Sequence, residues 1–285
     1  MRKFAGRLAT LAVAATALVA GSIAAPAAAH ESETLDYVAF GDSYTSGIGA
    51  PNVSVSPLYP VNPAPCYQAS PSYVDVLDDR PDVELAANAA CAGWTAAMVP
   101  LQVDVASAAG RLNAETDLVT ITAGGNDVGF QSILEACLKP SLLHDCKQAV
   151  KAGEALARTE VLAALTNAYA AIRAKAPNAT IVALGYPYQF SPEFGDQTYI
   201  TDEAAKVFNK GTDTLNKVIR KAARQVSGTV YVDVTDEFDG HGIGSPAPWI
   251  HLPGSDAGFH PTETGYAKGY YRAVVREAGI RALQH

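Results

Sequence analysis

Three short stretches of this chain carry side chains that could perform nucleophilic chemistry. Phe40-Gly41-Asp42-Ser43-Tyr44-Thr45-Ser46-Gly47 follows an apolar run and sets a serine beside a small glycine, where a hydroxyl can be presented without shielding. On its own, a serine after an aspartate in a turn reads first as a helix cap. Thr122-Ala123-Gly124-Gly125-Asn126-Asp127 ends another apolar run. Its two glycines let the backbone come close to a ligand, and Asn126 offers an amide NH2 as donor; the same residues would also make a tight turn. Gly258-Phe259-His260-Pro261-Thr262 places an imidazole in a loop, with Pro261 suited to the first position of a helix. Hydroxyl, imidazole and fixed donor are what acyl transfer needs as nucleophile, proton carrier and oxyanion partner.

Those stretches need a frame, and the apolar pattern supplies one. Short runs at Leu35–Phe40, Val83–Ala87, Leu118–Ala123, Thr180–Gly185 and Thr229–Val234 alternate with helical stretches at Ser72–Asp79, Glu154–Lys175, Asp202–Gln225 and Thr262–Ala278. Strands alternating with helices predict a parallel sheet in a doubly wound three-layer α/β/α domain. In such sheets, sites form where loops leave the carboxyl ends of the strands, and all three stretches fall there or at a helix start. Leu156, Val161, Leu162, Leu165, Tyr169 and Ile172 make the core-facing stripe of one helix. Ala50–Gln68, with five prolines, and Asp236–Phe259 read as irregular surface segments. No repeat or linker breaks the chain into further domains.

The compartment is written in the first residues. Arg2, Lys3 and Arg7 precede an uncharged alanine-rich run from Leu8 to Ala25, and Ala27-Ala28-Ala29 supplies the small side chains of a cleavage site. Residues 1–29 therefore read as a signal peptide cleaved before His30, and residues 30–285 as a single domain. The expectation is a secreted protein without stable membrane insertion after cleavage. The chain has 21 basic and 29 acidic residues, a net charge of −8, which becomes about −11 when Arg2, Lys3 and Arg7 go. That acidity, without a Lys/Arg stripe, argues against nucleic acid. Four cysteines in an exported chain point to two disulfides, for which three pairings exist. The short separation favours Cys137–Cys146 and leaves Cys66–Cys91. Without a C-x-x-C pair or a His at ligand spacing from a Cys, no metal site is expected. No phosphate- or dinucleotide-binding motif suggests a cofactor.

Taken together, the serine after the first strand, Gly-Gly-Asn-Asp after the third and His-Pro before the last helix resemble the pattern of the GDSL esterases, or SGNH hydrolases, and most closely their secreted actinomycete members. Tyr44 stands where the name-giving motif has leucine, and Asn88-Ala89-Ala90-Cys91-Ala92-Gly93 matches the family's second motif. The resemblance implies a flavodoxin-like fold with a central parallel five-stranded sheet and a cofactor-free, monomeric carboxylic-ester hydrolase acting on small-molecule or lipid esters. It implies Ser43 as nucleophile and His260 as base. The N–H groups of Ser43 and Gly93 and the Asn126 amide would form the oxyanion hole. A carbohydrate O-deacetylase is the alternative within the family, and a non-catalytic binding protein the alternative outside it.

One position departs from the pattern. Where many relatives carry an aspartate three residues before the histidine, this chain has Ala257, with Asp256 one residue further back. The expectation is a dyad in which the backbone carbonyl of Ala257 orients His260, with Asp256 as the alternative. A Cys66–Cys91 bond would tie down the loop before Gly93. Actinomycete relatives often have a third bridge around His241–Ile243; lacking it, this region is expected to be looser. Trp94, beside Gly93, suggests a walled acyl pocket.

Overall fold

The computed structural model describes Met1 and residues 34–59 and 65–278. The signal-peptide reading, apart from Met1, lies outside the described residues. Contacts divide the chain into Met1–Glu31 and Ser32–His285; everything below concerns the second unit.

The strands follow from the apolar runs. β1 (Leu35–Gly41), β4 (Val83–Asn88), β5 (Leu118–Thr122), β6 (Thr180–Leu184) and β7 (Thr229–Val232) form one parallel sheet in the order β4-β1-β5-β6-β7. β5 is buried along its whole length, as a parallel strand covered on both faces must be. β1 lies between β4 and β5, so the strand order reverses there, and the loops that leave β1 and β5 part to open a crevice. The register pairs Gly41 with Thr122, which starts the two key loops side by side.

Helices close both faces. They are α1 (Tyr73–Asp78), α2 (Val99–Ala108), α3 (Phe130–Cys137), α4 (Leu143–Leu156), α5 (Leu162–Lys175), α6 (Asp202–Ala223) and α7 (Tyr271–Glu277). α1 starts in a capping box, Ser72 with Asp75. α6 starts at Thr201, whose hydroxyl accepts from Ala204 N–H, with acids in its first turn and Arg220 and Lys221 in its last, matching the helix dipole.

Several boundaries differ from the sequence reading. The helix expected over Glu154–Lys175 begins inside α4 and passes through a π turn, Ala157–Val161, into α5. Val161, Leu165, Tyr169 and Ile172 of its stripe are buried as expected. The proline-rich stretch Ala50–Gln68 is not wholly irregular: β2 (Asn52–Val55) pairs antiparallel with β3 (Tyr67–Ser70), and residues 60–64 lie outside the described residues. Pro261 is not the first helical residue. It pairs with Ile250 in an isolated bridge, and Thr262 Oγ1 caps the following turn by accepting from Gly265 N–H. The region around His241 is tied down without cysteines, because the His241 ring stacks on Trp249 at 3.7 Å and Ile243 N–H donates to the Gln189 carbonyl.

Candidate active site

Gly41 ends β1 at φ 121°, and a Cβ there would stand 1.9 Å from the Thr122 carbonyl oxygen, so only glycine fits. Buried Gln102 of α2 clamps it, accepting from Gly41 N–H and donating to its carbonyl, both at 2.8 Å. The chain then turns on buried Asp42, whose carboxylate accepts from Tyr44 N–H, Thr122 Oγ1 and Tyr186 Oη. Burial without a cationic partner outweighs those bonds and pushes the Asp42 carboxyl up to about 6. Tyr186 Oη also accepts from Gly125 N–H, so one tyrosine holds the Ser43 loop against the Asn126 loop.

Ser43 emerges from this turn with its Oγ 2.8 Å from His260 Nε2, across 217 residues of sequence. The imidazole's other nitrogen, Nδ1, lies 3.3 Å from the Ala257 carbonyl oxygen and 3.1 Å from that of Gly258. A carbonyl can only accept, so Nδ1 carries the proton and Nε2 presents its lone pair to the serine. Burial lowers the His260 pKa, and the two carbonyls partly oppose it. Asp256 is exposed at the cleft mouth and makes no hydrogen bond to the imidazole among the described residues.

The loop that carries His260 is fixed from several sides. Tyr44, the departure from the name-giving motif, is buried and donates through its hydroxyl to the Phe259 carbonyl at 2.7 Å, and Gln189 Nε2 donates to that hydroxyl at 2.6 Å. Phe259 takes a left-handed backbone at φ 68°, which strains any side chain but glycine. Its ring closes a circuit of edge-to-face contacts with Phe130, Phe208 and Phe190. Gln102, Tyr186, Tyr44 and Gln189 were not singled out by the sequence reading as site residues, because buried polar side chains at single positions leave no periodic mark.

Gly93 and Asn126, the residues expected to act as oxyanion donors with Ser43, line the same cleft as the serine. Gly93 adopts φ 80°, and a Cβ there would project into open space. Neither its N–H nor that of Ser43 has an acceptor among the described residues. Asn126 Nδ2 donates one proton to the Trp94 carbonyl at 2.8 Å, which fixes the amide and leaves its second N–H for a ligand. Asp127 has a structural part, accepting from Ala96 N–H at 2.9 Å. Trp94 contributes its carbonyl and packs its ring on Tyr59 at 5.3 Å, but it does not line the cleft. Cys66 is bonded to Cys91, at the head of the Gly93 loop, and Cys137 to Cys146 between α3 and α4.

Ser43, Gly93, Asn126 and His260 line one cleft of about 450 Å³ with a largely apolar lining that includes Ile48, Phe130, Leu134 and Leu215. Among the described residues no cluster of metal-ligating side chains exists and no helix is long and apolar enough to cross a membrane. A serine hydroxyl bonded to an imidazole at the switch point of a doubly wound sheet is the layout of a serine hydrolase. Sequence comparison narrows the class: the chain belongs to the GDSL-like lipase/acylhydrolase family, whose model matches residues 39–268. It is 32% identical over 243 residues to a lipase of Streptomyces rimosus, covering 84% of this chain and 85% of that protein. It is 31% identical over 276 residues to lipase 1 of Streptomyces coelicolor, covering 95% and 97%. The crystal structure of the extracellular S. rimosus lipase superposes with a TM-score of 0.74 at 30% identity, over 86% of this chain and 100% of that one. Phospholipase A1 from Streptomyces albidoflavus gives 0.70 at 30% identity, over 85% and 98%. The protein is a carboxylic-ester hydrolase of the lipase/esterase type.

Proposed function

We propose that the chain is a secreted esterase that works through an acyl-enzyme on Ser43, with a Ser43–His260 dyad in place of a triad. The observation that carries this reading is the 2.8 Å contact between Ser43 Oγ and an imidazole whose far side faces only carbonyls. Ser43 Oγ attacks the ester carbonyl carbon while its proton passes to His260 Nε2. The imidazolium so formed donates from Nδ1 to the Ala257 and Gly258 carbonyls. The developing oxyanion accepts from the N–H groups of Ser43 and Gly93 and from Asn126 Nδ2, each donor worth about a hundredfold in rate or more. Collapse of the intermediate expels the alcohol, which takes the proton from Nε2. Water then enters by the same route in reverse and releases the acid.

The apolar lining favours acyl esters, lipids among them, over acetylated sugars, whose hydroxyls would need polar partners. Export is supported by the leader-like first residues, by two disulfides that pair all four cysteines and by the extracellular S. rimosus relative. A fluorophosphonate probe tests the nucleophile. The expected outcome is one label per wild-type chain and none on Ser43→Ala, with p-nitrophenyl ester turnover lost in parallel. Substantial turnover by a well-folded Ser43→Ala protein would overturn the assignment.

A further inference from the structure

The cleft beside Ser43 does not end at its apolar wall. A second hollow of about 50 Å³ lies between α3, α4 and α6 and shares Phe130, Thr212 and Leu215 with the cleft. Val128, Ile133, Val150, Ala157 and Phe208 make the rest of its wall hydrocarbon. The carboxylate at its edge, Glu154, is already engaged by Thr214 Oγ1 and Arg158. Two helix-interior glycines also line it, Gly153 in α4 and Gly211 in α6. Glycine inside a helix is destabilising relative to alanine, so both positions ask for a reason. A Cβ on Gly153 would stand 2.7 Å from Ile133 Cδ1, and one on Gly211 3.0 Å from Val150 Cγ1. The contacted side chains are themselves walls of the hollow. Phe130, the first residue of α3 and four residues after Asn126, stands between the two spaces and lines both.

We propose that this hollow is the distal acyl subsite of the enzyme: the tail of an ester bound at Ser43 passes the Phe130 ring and lays its last methylenes between α3, α4 and α6. The inference rests on the reading of Ser43 as the ester-cleaving nucleophile. A water-sized group needs about 10–15 Å³ of such space, so the hollow takes roughly three to five carbons. Each methylene withdrawn from water is worth about fourfold in binding. The mostly apolar residues that line both spaces suit hydrocarbon and leave a polyhydroxylated group with few partners.

The test is the ratio of kcat/KM on p-nitrophenyl decanoate to that on the butanoate, both below their aggregation concentrations, with the Tm of each variant. Ile133→Trp fills the hollow from α3 and should lower the ratio about tenfold or more, the worth of two or more methylenes. Val150→Phe fills it from α4 and takes its place should Ile133→Trp not fold. Phe130→Ala removes the ring between the two spaces and should raise the ratio about threefold or more, roughly one methylene's worth. A filled variant whose ratio stays within about twofold of wild type overturns the proposal, and a lower Tm without a change in ratio does the same, because the hollow is then only a packing feature. Turnover that survives Ser43→Ala would instead overturn the nucleophile assignment, so the two failures are told apart.

Discussion

Asp256→Ala separates a dyad from a triad. In a triad, loss of the carboxylate behind the histidine lowers kcat by about 10⁴, because the ring loses its tautomer and the imidazolium its counter-charge. Here the tautomer is set by two backbone carbonyls at 3.3 and 3.1 Å from Nδ1, which no side-chain substitution removes. The exposed Asp256 carboxylate can act only through solvent, where a unit charge even at about 4 Å contributes about 1 kcal/mol, some fivefold in rate. Asp256→Ala should therefore keep kcat within about tenfold of wild type, while His260→Ala loses nearly all of it. The assay is initial-rate hydrolysis of p-nitrophenyl butanoate, normalised to active sites by fluorophosphonate titration. A fall of about 10³ or more for a folded Asp256→Ala protein would refute the reasoning and require the loop 253–258 to bring that carboxylate onto the ring. A second sign comes from pH. Without a carboxylate to hold the imidazolium, burial keeps the His260 pKa below its ordinary 6.5, so the His260 limb of kcat/KM should fall below that pH.

Asn126→Ala should lower kcat by about 10²–10³ with little change in KM, since the contact strengthens as charge develops on the oxygen; a change confined to KM would assign Asn126 to substrate binding. Tyr44→Phe removes the 2.7 Å bond to the Phe259 carbonyl, worth about 1 kcal/mol, and should lower both Tm and kcat, the latter by up to about tenfold. An unchanged kcat would separate Tyr44 from the placement of His260. Asp42, raised from 3.8 to about 6 by burial, holds its proton more tightly in the fold than in the unfolded chain. Its share of stability is present below about pH 3.8 and lost as pH rises through about 6. Urea unfolding of Asp42→Asn should show its stability relative to wild type rising by about 2–3 kcal/mol from pH 4 to pH 7, and a flat difference would show that Asp42 does not titrate there.

What could be read in the sequence was what repeats or what is chemically singular. All five runs expected as strands form the sheet: β1, β5 and β6 lie inside it and keep the apolar stretch that burial on both faces needs, while β4 and β7 at its edges are partly exposed. Ser43, Asn126 and His260 stood out beside glycine, proline or a strand end, and Gly93 through the match of Asn88–Gly93 to the family's second motif. α2 escaped notice because Val99–Ala108 mixes alanine and valine on all sides, without a polar face. β2 and β3 were hidden by flanking prolines, although Val53 and Val55 keep the alternation of a strand. Tyr44 was legible only as a mismatch, and its use became visible once 215 residues of chain had folded back to place the Phe259 carbonyl beside it.

The bond between Ser43 and His260 joins the first strand of the sheet to the last loop before the final helix. Serine and imidazole are thus made 217 residues apart in translation. A nascent chain already holds the serine, the glycine loop and the asparagine loop long before it has an imidazole to activate them.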